Sequence, residues 1–104
     1  VRYFLSAIVL LFATPSSAYF VSGNALWDNC QGKDLFCMAF ILGAHDTYKS
    51  FPKEKELFCT PPEVTGGQVH DIAKKYLEQH PEERHMPASF LVIRALQLAF
   101  PCPE

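Results

Sequence analysis

Four cysteines, Cys30, Cys37, Cys59 and Cys102, limit what this chain can fold into more than any other feature. Whether they are cross-links, metal ligands or reactive thiols depends on the compartment the chain enters, and the N-terminal residues speak to that. Arg2 precedes an apolar run from Tyr3 to Ala13, and Thr14-Pro15-Ser16-Ser17-Ala18 then places small residues where a signal peptidase cuts. The run of about 11 residues falls well short of the roughly 20 that span a bilayer. Residues 1–18 therefore read as a secretory signal, cleaved after Ala18, and 19–104 as one mature domain without a membrane span. In an oxidising compartment an even number of cysteines reads as two disulfides, which suits a domain too small to bury a large core. Zinc is the competing reading, but the spacing contains no Cys-x2-Cys pair.

Four cysteines allow three pairings. In one continuous helix Cys30 and Cys37 stand about 10 Å apart, beyond the roughly 7 Å that a disulfide bridges. Gly32 can break such a helix, so spacing alone leaves that pairing open. The expected bonds are Cys37–Cys59, closing the segment between two helices, and Cys30–Cys102, tying the first helix to the C-terminus.

The apolar periodicity is helical throughout, and no alternating strand pattern competes with it. Ser22-Gly23-Asn24 offers capping groups to a short helix from Ala25 to about Cys30. Asp34 is placed to cap a second helix carrying Phe36, Cys37, Phe40, Ile41, Ala44 and Tyr48 at three- and four-residue steps. The proline-rich stretch from Ser50 to Pro62 is expected to be a surface loop with Phe58 and Cys59 turned inward. Thr65-Gly66-Gly67-Gln68 has the spacing of a capping box, and Val69, Ile72, Ala73, Tyr76 and Leu77 then share one face of a third helix that Pro81 ends. A fourth helix starts near Pro87 and is expected to bury Ala88, Leu91, Val92, Ala95, Leu96 and Ala99. It also carries Phe90, Ile93, Leu98 and Phe100, more apolar surface than one packing face requires, which suggests a homodimer contact or full burial. The predicted fold is all-α, a small bundle of four to five helices cross-linked by two disulfides.

Chemistry is scarce. The formal net charge is −2, and loss of Arg2 with the signal makes the mature domain more acidic still. Without Lys/Arg clusters it does not suit nucleic acid. His80-Pro81-Glu82-Glu83-Arg84-His85 gathers residue types that bind metals, but Pro81 breaks the helical spacing of an HExxH site, and no metal is expected there. His45-Asp46 and His70-Asp71 are sequence neighbours, which on a helix face away from a common substrate. Ser89 lacks a nucleophile-elbow turn, Gly66-Gly67 lacks the Lys of a phosphate loop, and paired cysteines leave no thiol nucleophile. Neither enzyme activity nor a cofactor is expected.

Several short stretches taken together resemble the Rap/Tai family of immunity proteins. They are Gly23-Asn24-x-Leu26 before Cys30, Phe36-Cys37 leading to Ile41-x-Gly43-x-x-Asp46, Phe58-Cys59-x-Pro61 running to Val64-Thr65-x-x-Gln68, Tyr76-Leu77 with His80-Pro81, Arg84-His85-x-Pro87-Ala88, and Ala95-Leu96 before Phe100-Pro101-Cys102. The resemblance implies a small helical periplasmic protein, often dimeric, that binds and blocks a cell-wall amidase effector delivered by a type VI secretion system. An inhibitor of that kind must present a stiff protrusion to a cleft. The corner braced by Pro81 and Pro87 suits that task, so His80, Glu82, Glu83, Arg84 and His85 are the expected partner-binding residues. A helical envelope or stress protein with chaperone-like action and no dedicated toxin is the alternative, its four histidines making it responsive near neutral pH.

Overall fold

A computed structural model describes residues 18–32 and 35–104. Four α-helices, Gly23–Asn29 (α1), Leu35–Ser50 (α2), Gly66–Gln79 (α3) and Ala88–Ala99 (α4), are joined by loops and one 3-10 turn at Pro81–Glu83. Among the described residues there is no strand, and the all-α expectation holds. No helix there is long and apolar enough to cross a membrane. The proposed signal falls mostly on residues 1–17, and the Asp34 cap on one of the pair 33–34; both lie outside the described residues.

α4 packs against each of the other three helices. Leu91, Val92 and Leu96 from α4 meet Leu26 of α1, Ile41 of α2 and Leu77 of α3 in one buried core. Val69, Ala73 and Tyr76 are also buried, at the three- and four-residue steps read from the sequence. Ala99 was expected inside and is exposed, because α4 reaches its last turn there, beyond the cover of its neighbours. The capping box forms as spelled: Thr65 Oγ1 accepts from the Gln68 N–H at 3.2 Å, and Gln68 Oε1 accepts from the Thr65 N–H at 2.8 Å.

The loop after α2 is held by a single aromatic plug. Phe58 is fully buried, stacked 4.8 Å from the Tyr48 ring with His45 5.4 Å away on the tilt, and the Lys49 ammonium sits 4.4 Å above it. Lys49 also donates to the Phe58 carbonyl at 2.6 Å, and the Tyr48 hydroxyl accepts from the Leu57 N–H at 2.8 Å. Irregular backbone is thus satisfied by side chains of α2.

Both expected disulfide pairings are corrected. The bonds are Cys30–Cys37 and Cys59–Cys102, with Cα separations of 5.1 and 4.9 Å. The calculation that disfavoured the first assumed one continuous helix, but α1 ends at Asn29 and α2 begins at Leu35. Cys30 is the C-cap of α1, and the bend at Gln31–Gly32 brings it back over the first turn of α2. The second bond is set up by backbone pairing, since the Cys59 N–H donates to the Phe100 carbonyl at 2.8 Å and so aligns the loop with the C-terminal tail. By chain entropy alone the short and long loops stabilise the fold by about 2.5 and about 4 kcal/mol.

The connection between α3 and α4 is locked onto α1. Gly23 N–H donates to the Met86 carbonyl at 2.8 Å and Asn24 N–H to the Arg84 carbonyl at 2.7 Å, so the orphan donors at the start of α1 are met by the corner's backbone. Ala88 N–H donates in return to the Val21 carbonyl at 2.9 Å, and Ser22 and Pro87 form an isolated antiparallel bridge. The Ser22 Oγ completes the cap of α1, accepting from Ala25 N–H at 3.1 Å. Such a seam needs a residue without a side chain at 23. A Cβ there would stand 2.4 Å from Leu91 Cδ1 and 2.7 Å from the Arg84 carbonyl oxygen. Space and not backbone angle makes the demand, since no glycine has a positive φ. Gly23→Ala is expected to cost about 2–3 kcal/mol, lowering the midpoint of thermal unfolding by about 10–20 °C, as read by circular dichroism.

Candidate functional site

The corner from His80 to Pro87 follows from local rules. Pro81 cannot continue α3, and with no N–H to place it starts a 3-10 turn that Arg84 closes, donating its N–H to the Pro81 carbonyl at 3.4 Å. The Met86 N–H donates to the Glu83 carbonyl at 2.9 Å, so the bend is bonded at both ends.

Side chains brace it from beneath. The His80 ring stacks on Tyr76 one turn earlier, with centroids 4.1 Å apart. His80 Nδ1 lies 3.0 Å from Glu82 Oε1 and 3.5 Å from Glu83 Oε2. Glu83 turns inward, where the Tyr76 hydroxyl donates to it in a short hydrogen bond and Arg94 Nε of α4 approaches to 3.5 Å. The same Arg94 Nε donates to the Tyr76 hydroxyl at 3.0 Å. Tyr76, His80, Glu83 and Arg94 therefore form one network joining α3, the turn and α4.

Arg84 packs back on the domain. Its guanidinium lies 4.2 Å from the centroid of the Trp27 ring of α1, and its Nε and Nη2 donate to the carbonyls of Leu77 and Glu78 at 2.6 and 3.3 Å. One cation thus satisfies two orphan acceptors at the C-terminus of α3, where the helix dipole also favours it.

Of the five residues singled out from the sequence, Glu82 stands open, with 65 % of its side chain exposed. His85 is exposed too, and its carbonyl accepts from the Tyr19 hydroxyl at 3.1 Å. His85 does not cap α4, whose Ala88 N–H donates to the Val21 carbonyl. His80 is 36 % exposed, while Glu83 and Arg84 are partly buried against their partners. Sequence reasoning missed Trp27, Arg94 and Tyr19. Tyr76 was assigned to the core alone, although its four-residue step to His80 signalled a stacked pair.

The electrostatics are those of a closed circuit. The Glu82 carboxylate is held below the ordinary range, first by its own backbone N–H and then by His80. Tyr76 is pushed above its ordinary value, mainly by burial and next by its hydrogen bond to Glu83. His80, Glu82 and Glu83 place one potential ligand atom each within 4.8 Å of one another, the one such group among the described residues. Its atoms are engaged already: Glu83 by Tyr76, and His80 Nδ1 by both carboxylates. In the pairs His45–Asp46 and His70–Asp71 the imidazole and carboxylate bond to each other, at 2.9 and 3.1 Å. The His45 Nε2 meets Thr60 Oγ1 at 3.1 Å, which anchors the loop rather than a substrate.

A small helical domain stapled by two disulfides thus presents a corner whose backbone and side chains are bonded in advance. The chain belongs to the Rap1a immunity protein family, whose model matches residues 22–102. Comparison with curated proteins and with solved structures gave no match.

Tyr76 carries a prediction. As an acid with a raised folded-state pKa, its neutral form contributes stability that is complete below about pH 10 and lost as pH rises through the folded value. Absorbance at 295 nm should show a tyrosinate phase above pH 10 that Tyr76→Phe removes.

Proposed function

We propose that this protein is a periplasmic inhibitor without catalytic activity, which binds and blocks a type VI secreted cell-wall amidase through the corner from His80 to Pro87. Family membership supports the immunity role. The observation that carries the choice of surface is the bracing of the corner: its backbone is bonded to α1 and its side chains to α3 and α4 before any partner arrives. A protrusion ordered in advance loses little conformational freedom on binding, which leaves more of the contact energy as affinity. Glu82 and His85 form its open edge, and the carboxylate of Glu82 meets and steers a basic rim on the enzyme.

Glu82→Lys and His85→Glu test this while leaving the contacts of Tyr76, Glu83 and Arg94 in place. Against a cell-wall amidase that the unaltered protein inhibits, the pair is expected to weaken inhibition of peptidoglycan hydrolysis by about ten- to a hundredfold while leaving the unfolding midpoint in place. Full inhibition by the double variant would place the contact elsewhere.

We further propose that the protein is a homodimer through the groove between α2 and α4. The groove has a volume of about 480 Å³ and is lined by Phe40, Tyr48 and Ile93 beside the small residues Ala39, Gly43 and Thr47. Its small residues allow a second helix to approach closely. Of the excess apolar residues on α4, Ile93 lines this groove and Phe90 and Leu98 stand exposed, while Phe100 is partly buried. A Cβ at Gly43 meets nothing within 4 Å, so Gly43→Glu spares the fold. Light scattering is expected to report a dimer for the unaltered protein and a monomer for that variant.

A further inference from the structure

The disulfide between α1 and α2 has a neighbour that a purely structural cross-link does not need. His70 of α3 places Nε2 3.3 Å from the Cys37 sulfur, and its Nδ1 lies 3.1 Å from Asp71 Oδ1. A disulfide sulfur and a carboxylate both accept hydrogen bonds and neither donates. A neutral ring therefore donates to one of them, and only after taking up a further proton does it donate to both. Cys37 is also the third residue of α2, within the turn whose N–H groups have no carbonyl partner in their own helix. Imidazolium and helix N-terminus each stabilise a thiolate, and together they do so from two sides. The sulfurs of Cys59 and Cys102 have neither: one lies in a loop and the other in the C-terminal tail, and no side chain among the described residues hydrogen-bonds them.

We propose that Cys30–Cys37 is a redox-responsive disulfide in which Cys37, faced by the His70–Asp71 pair, is the leaving sulfur, while Cys59–Cys102 is the permanent staple. The reductant is a dithiol, of the kind carried by thiol oxidoreductases. Its thiolate attacks the Cys30 sulfur, the Cys30–Cys37 bond breaks, and the electron pair departs on Cys37 as thiolate. The second thiol of the reductant then attacks the mixed disulfide and releases Cys30. Two electrons pass to the protein and the reductant becomes a disulfide. Of its two protons, one ends on the Cys30 thiol and one on His70, opposite the Cys37 thiolate. Stabilising the reduced form in this way makes a disulfide easier to reduce.

Both sulfurs are buried, Cys30 at 2 % and Cys37 at 1 % exposure, so attack proceeds through opening of the exposed Gln31–Gly32 link. The bond closes a sequence separation of only 7. Its opening leaves α2, α3 and α4 packed. It does free the end of α1, the helix whose first turn holds the Arg84 and Met86 carbonyls.

The experiment equilibrates the oxidised protein in glutathione buffers of graded ratio at pH 7, quenches with acid, alkylates, and maps free thiols by mass spectrometry. Cys30 and Cys37 are expected to become free at a reductant ratio at least tenfold lower than Cys59 and Cys102, and His70→Ala is expected to raise that ratio about tenfold without moving the other pair. In Cys30→Ser, the Cys37 thiolate absorbance at 240 nm is expected to persist well below pH 8.5, the ordinary value being about 8.5, and to return toward it when His70→Ala is added. Simultaneous reduction of both bonds, earlier reduction of Cys59–Cys102, or a Cys37 thiol titrating at its ordinary value would overturn the proposal.

Discussion

The missing side chain of Gly23 is the constraint on which the arrangement rests. It lets the backbone of the α3–α4 connection come close enough for the first N–H groups of α1 to reach the carbonyls of Arg84 and Met86. One seam solves two problems. The open N-terminus of a helix only two turns long finds acceptors, and an irregular corner finds donors. Leu91 is part of the same contact, so the seam continues directly into the core where α4 meets the other helices.

Around that seam the charged and aromatic residues act as struts more than as reagents. Arg84 closes the end of α3 while covering Trp27, Lys49 holds the Phe58 carbonyl and ring, and Arg94 ties α4 to Tyr76 and Glu83. No buried side-chain nitrogen or oxygen among the described residues lacks a partner. A corner so satisfied keeps its shape in the free protein. That suits the inhibitor role proposed above, because order already present in the free protein lowers the conformational cost of binding.

Much of this was legible in the chain. Helical periodicity named the core faces of α3 and α4, the Thr65–Gln68 spacing named a capping box, and Phe58 was recognised as an inward residue inside a polar loop. The disulfide pairing was not legible, because it turned on whether the chain between Cys30 and Cys37 bends, and a single Gly32 does not decide that. The brace under the corner was equally hidden: Tyr76, Glu83 and Arg94 are far enough apart in sequence that only the docking of α3 against α4 unites them.

By itself the sequence determined the secondary structure, the number of cross-links and the family, since periodicity, caps and prolines act over a few residues and are written locally. Tertiary structure alone decided which cysteines meet, which of the 80–85 residues stay open, and that His70 stands against a disulfide sulfur. Those outcomes depend on the direction in which one helix leaves another. That direction is set by the sum of many packing contacts and by no single residue.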